Sequence, residues 1–104
     1  MAQITMTQFA TVDMASGSLA LVLEPKATWA QFPAKTEKWI DRLKAEVLCA
    51  PVISADECLV EVRVSGGRFW MTYDDFQSSI QLEPAEPRFN RIILNLQKAL
   101  RNEP

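Results

Sequence analysis

Histidine is absent from this chain. The side chain that titrates near neutrality unaided, ligates metals most often and activates Ser or Cys nucleophiles is therefore missing. Glycine is scarce: only Gly17, Gly66 and Gly67 occur, so no glycine-rich loop exists to cradle a phosphate. The two cysteines, Cys49 and Cys58, fit no metal-binding or redox spacing and read as a reduced pair of small apolar core residues. No apolar run approaches the roughly 18 residues needed to cross a bilayer. The N-terminus, Met1 to Thr7, has neither a positive stretch nor an apolar one, so no secretory signal and a cytoplasmic location are expected. Asp74-Asp75 is open to two readings, a turn cap or the start of a divalent-cation site. No further oxygen ligands follow at a calcium-loop spacing, so no metal and no cofactor are expected. With no acid, base and nucleophile to assemble, the chain reads as a non-enzyme.

What is present suits a single α+β domain over residues 1–104. The 48% hydrophobic and 23% charged content are those of an ordinary globular chain. Folding a chain of this length buries roughly 65% of its surface, enough for one core without staples. A net charge of −2 argues against nucleic-acid binding through the overall field.

The clearest local signal is a hairpin. Cys58, Val60, Val62 and Val64 alternate with Leu59, Glu61, Arg63 and Ser65. After Gly66-Gly67, Phe69, Met71 and Tyr73 alternate with Arg68, Trp70 and Thr72. A Gly-Gly loop fits a type I′ turn. It predicts that Val64 faces Phe69, Arg63 faces Trp70, Val62 faces Met71 and Val60 faces Tyr73. Ile4 to Val12 and Ser18 to Glu24 read as earlier strands. In the second, Leu19, Leu21 and Leu23 point inward and Ala20 and Val22 outward. Val47 to Ile53 is a shorter strand that Pro51 bulges or confines to an edge. Ser79 to Leu82 is the last.

Two helices complete the pattern. The first follows Thr28, with Gln31 placed for a capping box. Its apolar stripe is Phe32, Trp39, Ile40, Leu43 and Val47. The second starts near Pro87 and carries Phe89, Ile92, Ile93, Leu96 and Leu100 at helical spacing. The order β-β-α-β-β-β-α predicts one mostly antiparallel sheet with both helices on one face, a two-layer sandwich.

That architecture leaves one sheet face for function. It would carry Arg63 stacked on Trp70, with Glu61, Thr72, Ser79 and Gln81 near them and Ala20 and Val22 as an apolar edge. A guanidinium over an indole contributes about 0.5–1 kcal/mol when exposed. Trp and Arg are also the types enriched at binding hot spots. The plainer reading is a cross-strand pair that stabilises the hairpin. A pocket between sheet and helices, lined by Tyr73, Trp29 and Phe76, would take a small molecule. Between Pro87 and Asn102 the second helix has no acidic residue, and Arg88 and Arg91 lie near its start. The dipole favours cations at the other end. They would meet an acidic partner, or simply face water and pair with Glu86 or Glu83.

Trp29-Ala30-Gln31-Phe32-Pro33, Val60-Glu61-Val62, Phe69 to Asp75 and Ser78 to Glu83 together resemble a family of small gammaproteobacterial proteins known only as a domain of unknown function. That family's acidic, Gly- and Trp-containing stretch after its first helix is replaced here by Pro51 to Glu57. The resemblance implies a bacterial source and no activity or site residues. The expected function is a protein-interaction module that pairs with itself or with another protein through the Arg63/Trp70 face. A small-ligand domain is the alternative.

Overall fold

A computed structural model describes residues 7–54 and 57–103. Period-two alternation yields strands β1 (Thr11–Asp13), β2 (Leu19–Glu24), β3 (Glu46–Val47), β4 (Val52–Ile53), β5 (Cys58–Val64), β6 (Gly67–Asp74) and β7 (Ser79–Pro84). Period-3.6 spacing yields helices α1 (Phe32–Arg42) and α2 (Asn90–Arg101). The strands form one antiparallel sheet in the order β1-β2-β7-β6-β5-β3, with β4 also pairing β5. The fold is the expected α+β sandwich.

Both helices cover one face. Phe32 and Trp39 of α1, and Ile93 and Leu100 of α2, join Leu21, Val60, Val62, Phe69, Met71, Ile80 and Leu82 in the buried core. The Thr28 cap forms as a full capping box. Thr28 Oγ1 accepts from the Gln31 amide at 3.3 Å, and Gln31 Oε1 accepts from the Thr28 amide at 3.0 Å. A single 3₁₀ turn, Trp29–Gln31, connects this cap to α1, and Pro33 sits harmlessly in the helix's first turn.

The structure departs from the sequence pattern in four places. The hairpin loop is Ser65-Gly66, with φ of 51° and 84°, rather than Gly66-Gly67. Glu61 therefore faces Trp70, Arg63 faces Arg68, Val62 faces Phe69 and Val60 faces Met71. The reason is packing. A Cβ on Gly67 would stand 2.7 Å from Ile92 Cδ1 and 3.0 Å from ring atoms of Phe69 and Phe89. Gly67 is spent on that close approach, and the turn moves back by one residue. The strand partners shift by two, an even number, so each side chain keeps its face.

Val47 does not continue the α1 stripe. The helix stops at Arg42, and Lys44 turns left-handed at φ 54°, so Val47 falls in β3. Around Pro51 the edge breaks between β3 and β4, as its missing N–H requires. The first strand begins at Thr11, after Phe9 takes φ 66°, and Ile4 to Met6 of the expected strand lie outside the described residues. Finally, Ala20 and Val22 point away from the helices yet are buried, together with Ser79 and Gln81. They add no apolar edge to an open face.

Candidate functional site

The outward side of β5 and β6 holds Glu61, Arg63, Trp70 and Thr72, but they are engaged with other neighbours than the sequence suggests. Arg63 reaches the edge strand, where its Nη1 lies 2.9 Å from Glu46 Oε1. Glu61 sits between Arg68 (Nε to Oε2, 3.3 Å) and Cys49, whose thiol donates to Oε1 at 3.1 Å. Thr72 Oγ1 donates to Glu83. Trp70 is half-buried between Glu61 on β5 and Glu83 on β7. The expected Arg63–Trp70 stack does not form, because the hairpin register separates the two. Guanidinium–ring contacts occur elsewhere: Arg42 lies 4.7 Å from the Trp39 ring and Arg88 lies 4.7 Å from the Phe89 ring.

The suggested pocket residues are not gathered between sheet and helices. Tyr73 and Phe76 share a hollow of about 620 Å³ with the outward-facing Leu59, Thr72 and Glu83. Phe76 stands 96% exposed at the β6–β7 turn. Trp29 is not among the walls, and its indole N–H donates to the Ser54 carbonyl at 2.9 Å. Asp74 is the turn cap: its Oδ1 accepts from the Phe76 amide at 2.9 Å and the Gln77 amide at 3.3 Å. Among the described residues no group of three or more Cys, Asp or Glu side chains is placed to hold a metal.

The cysteines part company. Cys58 is buried in the core, as expected, and burial pushes its thiol above the ordinary range. Cys49 is exposed instead, because the break in the edge strand lifts it out of the sheet. Its hydrogen bond to the Glu61 carboxylate, and then that carboxylate's charge, raise its thiol as well. Neither is an activated nucleophile. Arg88 pairs with Glu86 at 2.8 Å, while Arg91 is exposed and has no ion-pair partner among the described residues.

Sequence reasoning missed an apolar hollow beside α1. Phe32, Pro33 and Ile40 of α1 face Val47, Pro51 and Ile53 of the broken edge across a hollow of about 370 Å³. Val47 and Ile53 point to the helix side, opposite the inward Val62 and Cys58, yet remain 46% and 42% exposed, because α1 runs alongside the edge strands without closing over them. Trp29 is as open, held near the end of this edge by the Ser54 carbonyl, whereas Val52, opposite the outward Leu59, is open on the other face of the sheet. The signal was present in the apolar residues on either side of Pro51, but reading it needed the placement of α1 against the broken edge. No helix among the described residues is long and apolar enough to cross a membrane. No family model, no curated protein and no solved structure matches the chain.

Proposed function

We propose that this protein is a non-enzymatic, cytoplasmic interaction module that docks a protein partner on the apolar hollow between α1 and the β3–β4 edge, the partner being a second copy of the chain. The observation that carries this reading is the clustering of exposed apolar side chains. Of six large ones open to solvent among the described residues, Val47 and Ile53 line this hollow, Trp29 is tied to the same edge through the Ser54 carbonyl, and Val52, opposite the outward Leu59, faces the other side of the sheet. Isolated exposed apolar residues need no explanation, but a contiguous group beside a concave wall does. The Trp70 face supports docking less well, since its polar groups are already paired with one another.

The partner would be held by side chains rather than by an added strand. Pro51 removes a backbone donor and the break limits each edge strand to two residues, which blunts the sheet against edge-to-edge pairing. A two-fold arrangement lets the same patch serve both copies.

Light scattering on wild type, Ile53→Asp and Trp70→Ser at matched concentration tests the reading. We expect a dimer that becomes a folded monomer in Ile53→Asp and persists in Trp70→Ser. Dissociation in Trp70→Ser alone would move the interface to the other sheet face, and a monomeric wild type would remove self-association.

A further inference from the structure

A second surface lies on α2. Arg91, Leu94, Asn95, Lys98 and Arg101 recur at helical spacing, and all five are exposed. The opposite side of the helix buries Ile93 and Leu100. Four of the chain's arginines have carboxylate partners: Arg42 with Glu103, Arg63 with Glu46, Arg68 with Glu61 and Arg88 with Glu86. The remaining two, Arg91 and Arg101, are both on this stripe and have no ion-pair partner among the described residues, and neither has Lys98. No Asp or Glu interrupts the chain from 87 to 102. A protein of net charge −2 thus keeps one helix face positive and unneutralised.

The helix dipole accounts for part of this. Lys98 and Arg101 lie in the last turn, where a cation is stabilised, but Arg91 lies in the first turn, where it is not. Leu94 narrows the choice of partner. It is 49% exposed and sits between the cations along the stripe. A bare polyanion would neutralise the cations and leave Leu94 in water. We infer that this α2 stripe binds an acidic amphipathic helix of a partner protein. Its carboxylates, two turns or roughly 10 Å apart, would meet Arg91 and Lys98, and an apolar residue between them would cover Leu94. The surface is on a different helix from the α1 hollow and stands independently of it.

The test uses a fluorescein-labelled synthetic helical peptide with glutamates two turns apart flanking a leucine. Controls are the same peptide with lysines for the glutamates, the same peptide with serine for the leucine, and a labelled DNA duplex. Anisotropy titrations are made with wild type and with the Arg91→Glu/Lys98→Glu double variant, whose folding is checked by circular dichroism. We expect saturable binding of the glutamate–leucine peptide at low salt, weakened roughly tenfold or more in the double variant, and weakened again when the leucine is replaced. Should the double variant fold poorly, Arg91→Gln/Lys98→Gln carries the same expectation with a smaller loss. Absence of binding at low salt, equal affinity for wild type and both variants, or a tighter complex with the duplex would each overturn the inference, the last in favour of nucleic acid.

Discussion

Cys49 and Cys58 carry the same thiol and differ in what surrounds it. Cys58 is shielded by the core, so its thiolate would lose hydration. Cys49 is open to water, and its thiolate is disfavoured chiefly because the thiol donates a hydrogen bond to Glu61 and would then face that residue's negative charge. A raised thiol pKa means less thiolate at neutral pH and slower attack on a disulfide reagent. The native protein should therefore react at Cys49 more slowly than a free thiol does, with the rate climbing as pH rises beyond the usual thiol range. Glu61→Gln removes the charge and should speed Cys49 several-fold at neutral pH, while Cys58 stays silent until denaturant is added. Timed titration with an aromatic disulfide checks both; an unchanged rate in Glu61→Gln would show that the carboxylate does not control the thiol.

At the scale of elements, the β5–β6 hairpin shows how a local pattern and a distant contact divide the work. Alternation sets which side chains face the helices. Two adjacent glycines, however, offer two turns, and an even shift in register leaves every face unchanged. The choice is made by Ile92 and Phe89, more than twenty positions downstream, which close over Gly67. Gly67→Ala should cost about 1–3 kcal/mol through overpacking. Gly66→Ala should cost about 1–2 kcal/mol through its positive φ alone, since nothing lies within 4 Å of a Cβ there. The two are separated by rescue. Ile92→Val deletes the methyl nearest the added Cβ and should recover part of the Gly67→Ala loss but none of the Gly66→Ala loss. Urea denaturation of the double-variant sets measures this coupling, and simple additivity at Gly67 would contradict the packing argument. The same division explains what was legible. The Thr28 cap, the strand faces and the break at Pro51 depend on neighbours in sequence, and they match. Val47 belonged to both a helical and an extended pattern, and only the left-handed turn at Lys44 separates them. The α1 hollow depends on how the flank of that helix lies against the broken edge, a tertiary relation that spacing does not carry.

Across the whole molecule, α2 ties the last element to the first. Asn90 Oδ1 accepts from the Leu19 amide at 2.8 Å and its Nδ2 donates to the Gly17 carbonyl at 3.0 Å. Gln97 Nε2 donates to the Phe9 carbonyl at 2.8 Å. Beyond the helix, Glu103 pairs with Arg42 at the end of α1. Two kinds of force thus close the fold, and their sizes differ. The Arg42–Glu103 pair is nearly half exposed on both sides, so it contributes at most about 1 kcal/mol and weakens with salt. Leu100 is 5% exposed within the core cluster, and truncating such a side chain costs about 2–5 kcal/mol. Loosening α2 would also release the β1–β2 backbone held by Asn90 and Gln97, so the loss should spread to the whole domain rather than fray one end. Leu100→Ala should therefore lower the urea midpoint far more than Glu103→Gln, in a single transition followed equally by circular dichroism and tryptophan fluorescence. The small effect of Glu103→Gln should vanish in high salt, while that of Leu100→Ala persists. A larger loss from Glu103→Gln would mean that the ion pair, not the buried face of α2, closes the molecule.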